Sequence, residues 1–330
     1  MKIAIIDGIN QDIGLNILFP EADYYIHSAE IDKSISFHKY NIQPRYDWDS
    51  ITDQKYDYLF IIISLYDTKF GTPFFKQNVY DILQKELEII ENNNFKKVCF
   101  FDNYDYDYDP NDILQNDKIT FFFKRNYNKT KKYKENVKPF PFIMFGETSI
   151  IEKLEHHKVI YDYDYDYDYD NDIKHNRVFF SGTLFVHDDP QIDYCRNRMQ
   201  IYSDISDFIY NPGDLSYFEF LKELHDSKFA LDLNGVGDPN KRTFEILSQG
   251  TLRIAEYNDL QWPFIEPTQI KHAFPEETIF KDGNDFKNKI LTLSNDPILY
   301  DKCLQQQNDI YLTYFNASWI KNYLLSFLYH

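Results

Sequence analysis

The chain has 330 residues, 43% of them hydrophobic and 18% aromatic, which is enough apolar material for two buried cores and excludes a disordered polypeptide. Its formal charge of −18 excludes a broad basic surface, so no nucleic-acid partner is expected. A nucleotide diphosphate remains compatible with that charge, because a few converging Arg, Lys and main-chain N–H groups can hold it locally.

The three cysteines, Cys99, Cys195 and Cys303, include no Cys-x-x-Cys pair and imply neither a disulfide framework nor a zinc site. The apolar start at Met1–Asp7 is too short for a signal-peptide core or a bilayer span, and later apolar runs such as Leu59–Ile63 are no longer. No transmembrane segment and a reducing, cytoplasmic location are therefore expected.

In chain order, β-rich apolar runs at Lys2–Asp7, Tyr56–Ser64, Lys96–Asp102 and Lys118–Arg125 predict strands, with an amphipathic helix over Lys76–Glu91. Buried strands separated by helices point to a parallel sheet. A second alternating series follows residue 175, with strands predicted at Arg177–Gly182, Phe229–Gly235 and Thr251–Tyr257. Helices are predicted there at Gln191–Ser206, Ser216–Ser227 and Lys241–Gln249, and the apolar spacing of Asn308–Tyr329 predicts a C-terminal amphipathic helix. This divides the chain into 1–150, a polar stretch 151–175, 176–307 and 308–330, an α/β architecture of two Rossmann-like domains whose strand ends face one another across a cleft.

The polar stretch contains a strict Tyr-Asp alternation, Tyr161–Asp170, with a shorter relative at Tyr104–Asp109. Such a tract offers Asp-x-Asp pairs of the kind that hold a metal-diphosphate complex. Period-two alternation, however, sets every Asp on one strand face, where like charges repel. A solvated edge strand or linker is the favoured reading, and no metal is assigned.

The informative stretch is Ser216–Tyr257. It contains Ser227-Lys228-Phe229, a strand leading into Asn234-Gly235-Val236-Gly237, then Lys241-Arg242-Thr243-Phe244-Glu245 and Gly250-Thr251. The glycines permit close backbone approach, and the following helix offers N–H groups to an anion. Arg242 adds a bidentate charged contact, while Glu245, at i+3 on the same helix face, can accept ribose hydroxyls. The order and spacing of these elements resemble the exostosin-like and related GT-B glycosyltransferases. The resemblance implies a GT-B fold with a C-terminal helix crossing back to the N-terminal domain. It also implies a nucleotide-sugar domain at 176–307 and an acceptor-side domain at 1–150.

Two further clusters fit the same resemblance. Phe179-Phe180-Ser181-Gly182-Thr183 ends a strand, and Arg196 or Arg198 on the next helix supplies charge; at i, i+2 only one can face the ligand, and Arg198 is preferred. Phe121-Phe122-Phe123-Lys124-Arg125 before Pro139-Phe140-Pro141-Phe142 makes Lys124 and Arg125 candidate phosphate contacts, although the nearby Lys129, Lys131, Lys132 and Lys134 suit a solvated basic loop equally well. The nucleotide-sugar candidates are thus Ser181, Gly182, Thr183, Arg198, Asn234, Gly235, Arg242, Thr243 and Glu245. Asp7 and Asp102, at predicted strand ends, are candidates for the acceptor base, a position strand-end Asp also takes as a turn residue.

The chain lacks the phosphate-binding loop of P-loop enzymes, the serine-hydrolase elbow and the zinc-protease motif, and its first strand lacks Gly-x-Gly-x-x-Gly. The expected activity is transfer of a sugar from a nucleotide-diphosphate sugar, UDP-linked by the resemblance, to a hydroxyl acceptor such as a glycan, with no metal and no other cofactor. A binding protein for the same ligand without turnover is the alternative. Stereochemistry, inverting or retaining, stays open.

Overall fold

The computed structural model describes residues 1–7, 15–26, 45, 47–63, 73–102, 115–125, 127–140, 175–182, 184, 193–234, 241–264, 273–315 and 317–329. Both Tyr-Asp tracts, Thr183 and Gly235 lie outside them. The chain forms two compact units: Met1–Ser149 with Leu260–Phe264 and Ala317–His330, and Ile150–Asp259 with Ile265–Asn316.

The first unit is built on a six-stranded parallel sheet in the order β2-β1-β3-β4-β5-β6. Its strands are β1 (Ile3–Asp7), β2 (Asp23–Ile26), β3 (Tyr58–Ile63), β4 (Lys97–Asp102), β5 (Ile119–Lys124) and β6 (Val137–Pro139). All six residues of β3 and all five of β1 are buried, as expected for parallel strands covered on both faces. The short β2 and β6 escape the sequence reading because three or four residues carry too little periodicity. Helix α1 (Leu15–Leu18) lies between β1 and β2 in the chain, and α2 (Pro73–Asn92) between β3 and β4. Ile82, Leu83, Leu87, Ile89 and Ile90 of α2 join the core made by Ala4, Leu59, Ile61, Val98 and Phe100, and Glu86 lies buried on the same apolar stripe.

The second unit repeats the plan with a five-stranded parallel sheet in the order β11-β10-β9-β7-β8. Here β7 is His175–Phe179, β8 Ile209–Tyr210, β9 Ser227–Asp232, β10 Leu252–Glu256 and β11 Ile279–Phe280. The helices are α3 (Asp193–Ile205), α4 (Tyr217–His225), α5 (Lys241–Ser248), α6 (Gly283–Asn295) and α7 (Pro297–Tyr314). Ser216 and Glu219 form a reciprocal capping box that starts α4. Gly250, at φ 62°, supplies the left-handed turn after α5 that lets the chain enter β10.

The predicted C-terminal helix divides into α7 and α8 (Ala317–Leu328). Phe315 leaves helical geometry at φ −105° and ψ 24°, and its ring packs on Phe244 and Tyr311 of the second unit. α8 belongs instead to the first unit, where Phe327 packs on Phe121 and Phe123 and the Tyr323 hydroxyl donates to the Pro139 carbonyl at 2.7 Å. The aromatic spacing that reads as one helix therefore serves two cores.

Both sheets share a strand order in which the chain first adds a strand on one side and then crosses back to build outward on the other. The reversal falls between β1 and β3 in the first sheet and between β7 and β9 in the second. In parallel α/β sheets, the loops beyond the strand C-termini diverge at such a point and leave a crevice for a ligand.

Candidate functional site

In the second unit, β7 runs into Phe180, Ser181 and Gly182, and β9 ends at Asp232 before Leu233 and Asn234. Arg242, in the first turn of α5, extends back over β7: its guanidinium carbon lies 4.9 Å from the centre of the Phe180 ring. A Cβ placed on Gly182 would come within 2.1 Å of the Arg242 Nη2, so glycine leaves the room that this side chain occupies. From α3, the Arg198 guanidinium carbon lies 5.9 Å from the same ring. Phe180, 1% exposed, thus has two cations set around it, an arrangement the ring's quadrupole favours.

The two arginines are not satisfied within the protein. Nε of Arg198 and both Nε and Nη1 of Arg242 are buried without a hydrogen-bond partner. An unsatisfied buried donor costs about 1–3 kcal/mol, more when charged, and two like charges add repulsion. Burial depresses the Arg242 pKa, Arg198 adds to that effect, and Asp232 and Glu245 oppose it. An anion carrying several acceptor oxygens would relieve all of these costs together.

The surrounding carboxylates are held in place. One oxygen of Asp232 accepts from Arg253 Nε at 2.6 Å and from Thr243 Oγ1 at 2.7 Å, all three residues being buried. The Thr243 hydroxyl, a candidate ligand contact by sequence, therefore fastens α5 to β9. Glu245 is 5% exposed, one turn beyond Arg242. The Asn234 side chain is engaged within the protein: Nδ2 donates to the Tyr257 carbonyl at 2.7 Å and Oδ1 accepts from Asn258 at 3.1 Å. Ser181 Oγ points to the Gly213 carbonyl at 3.4 Å.

At the C-terminal ends of the first sheet the arrangement is different. Asp102 and Lys124 are register partners on β4 and β5 and form an ion pair at 3.3 Å, both side chains being fully buried. Lys124, a candidate phosphate contact by sequence, thus directs its charge to Asp102, a candidate base by sequence. Arg125 is also buried, at 5% exposure. Asp7, which ends β1 at the reversal point, accepts a hydrogen bond from the Tyr24 hydroxyl at 3.1 Å. Burial holds the carboxyl of Glu86 well above the usual carboxylate range, and the charge of Asp7 pushes it further the same way.

Sequence reasoning names Phe180 only as part of a strand and misses Asp232, Arg253, Glu256 and Glu86. A charged residue closing an apolar strand, as in Phe229-Ala230-Leu231-Asp232, or interrupting the apolar stripe of α2, is the signal that could have found two of them. Among the described residues, no group of three or more His, Cys, Asp or Glu is arranged to hold a metal, and no helix is long and apolar enough to cross a membrane.

No protein-family model and no curated protein matches the sequence. The fold is matched over 99% of both chains by Anabaena Alr3699/HepE, at 11% identity, with a TM-score of 0.57 for its complex with UDP and 0.53 for its complex with UDP-glucose. T4 phage BGT in complex with its UDP-glucose substrate matches over the same extent at 13% identity and a TM-score of 0.52. Two parallel Rossmann-like sheets and full-length likeness to these structures give the chain the GT-B fold.

Proposed function

We propose that this protein is a glycosyltransferase that moves a sugar from a nucleotide-diphosphate sugar, with a UDP-sugar favoured, to a hydroxyl acceptor such as a glycan. The observation that carries this reading is the pair Arg198 and Arg242, whose buried nitrogens lack partners at the strand-order reversal of the second sheet. A diphosphate supplies the oxygens they lack, and Glu245 is the candidate acceptor for ribose hydroxyls. The complexes of HepE with UDP and UDP-glucose, and of T4 phage BGT with UDP-glucose, support a uridine donor. The order of motifs over 216–257 supports kinship with the exostosin-like group.

In the reaction, the bond from the sugar anomeric carbon to the diphosphate oxygen breaks and its electron pair stays with the diphosphate. Arg198 and Arg242 stabilise the charge that develops there, a task that needs no metal. The acceptor oxygen bonds to the anomeric carbon and gives its proton to a carboxylate. Asp7 and Asp102 are the candidate bases; Asp7 accepts a hydrogen bond from Tyr24, and Asp102 faces Lys124.

Isothermal titration with UDP, GDP and their glucose conjugates, beside an assay of nucleotide release with an acceptor panel, tests the reading. UDP binding with turnover is expected. Binding without turnover on any acceptor would identify a nucleotide-sugar-binding protein, and no binding to the wild type would overturn the donor site.

A further inference from the structure

Glu256 closes β10, the strand paired with β9 in the second sheet, and neither the motif order nor the donor-site reading gives it a role. Its Oε2 accepts the main-chain N–H of Asn234 at 3.0 Å, at the point where the chain leaves β9. That contact belongs to a three-part clamp. The Asn234 Nδ2 donates to the Tyr257 carbonyl at 2.7 Å, and Asn258 Nδ2 donates to the Asn234 Oδ1 at 3.1 Å. The exit of β9 is thereby tied, through main chain and side chain together, to the three residues that leave β10. Tyr257 is itself anchored, its N–H donating to the Phe280 carbonyl at 2.8 Å.

A carboxylate is an unexpected choice for this clamp. A neutral amide would accept the same N–H, whereas a carboxylate beside a diphosphate site repels the ligand. Arg198 and Asp232 are the charged groups that act on Glu256. Asp232 is engaged by Arg253 and Thr243, whereas Arg198 keeps a buried Nε without a hydrogen-bond partner. Burial raises the Glu256 pKa, with the Asn234 N–H and Arg198 opposing.

We propose that Glu256 is a positioning residue of the donor site: it fixes the exit of β9 through Asn234 and offsets part of the Arg198 charge, so that the diphosphate product is released after transfer. The proposal rests on the donor-site reading, and it gives the site a built-in limit on affinity. Charge and clamp are separable, since glutamine keeps the acceptor oxygen and loses the charge while alanine loses both.

The test is titration of UDP and inorganic pyrophosphate into the wild type, Glu256→Gln and Glu256→Ala at pH 8, with thermal melts to confirm folding. Glu256→Gln is expected to bind both probes about tenfold more tightly than the wild type at pH 8. In turnover, Glu256→Gln is expected to show stronger product inhibition by UDP, a readout that a purely structural role would not move. Glu256→Ala is expected to bind more weakly than Glu256→Gln because the Asn234 N–H loses its acceptor. Equal affinity of the wild type and Glu256→Gln at pH 8 overturns the charge role, and equal affinity of the alanine and glutamine variants overturns the clamp. A wild type that binds neither probe instead defeats the donor-site reading, and Arg242→Ala, which leaves Glu256 intact, checks that reading separately.

Discussion

The two sheets share a strand order, yet buried cations near their C-terminal ends are partnered differently. In the second unit Arg198 and Arg242 converge on Phe180 and Gly182 with buried nitrogens unsatisfied. In the first, the buried cation Lys124 is neutralised by Asp102, and Asp7 and Glu86 bring two more buried carboxyl groups. One topology therefore supports a site that calls for an anion and a region suited to holding a proton. The strand reversal supplies the crevice, and the residues at the strand ends decide what chemistry it suits.

The largest test of this contrast is at Asp102. Replacing it with Asn removes the carboxylate that faces the buried Lys124 ammonium, which is expected to cost about 3–5 kcal/mol in urea unfolding, and adding Lys124→Met is expected to recover much of it. An unchanged midpoint for Asp102→Asn would mean that the first sheet does not neutralise its own cation. Next is Arg242→Ala, expected to weaken UDP binding by about 2–4 kcal/mol in calorimetry with the circular dichroism spectrum unchanged. Normal UDP affinity in that variant would remove the electrostatic difference between the units.

Glu86 offers a test through pH. Its pKa is raised in the folded protein, so above the ordinary glutamate value of 4.5 the unfolded chain loses the Glu86 proton while the folded chain keeps it. The contribution of this group to stability is therefore fully present below that value and declines as pH rises toward the folded pKa, by at most about 1.4 kcal/mol per pH unit. Glu86→Gln is expected to flatten the fall in unfolding midpoint as pH rises above 4.5, and an unchanged slope would place an ionised carboxylate there. The smallest effect is expected at Gly182. The nearest atoms its β-methyl would meet belong to the flexible end of Arg242, so Gly182→Ala should fold normally and weaken UDP binding by about 1 kcal/mol, whereas unchanged affinity would show that Arg242 can bind from a displaced position.

Much of the second site was legible in local sequence. Arg242 and Glu245 share a face because helix geometry places i and i+3 together, and Gly182 stands at the end of an apolar run that reads as a strand. The first unit was less legible at its strand ends. Lys124 in Phe-Lys-Arg reads as an available cation until β4 is known to lie beside β5 in the register that pairs it with Asp102, 22 residues earlier.

By itself, the sequence determined the alternation of strands and helices, the apolar stripes, the sharing of one helix face by Arg242 and Glu245, and the placing of Gly182 just beyond a strand. These follow from periodicity and spacing, which act over a few residues. Only the tertiary structure decided that Arg198 and Arg242 meet around Phe180 and that the aromatic C-terminal stretch breaks at Phe315. It also decided that Thr243 and Asn234 serve as internal fastenings and that Glu256 holds the exit of β9. Those outcomes depend on strand order and register, set by crossovers between distant segments, and local pattern carries no record of which distant side chain will be the partner.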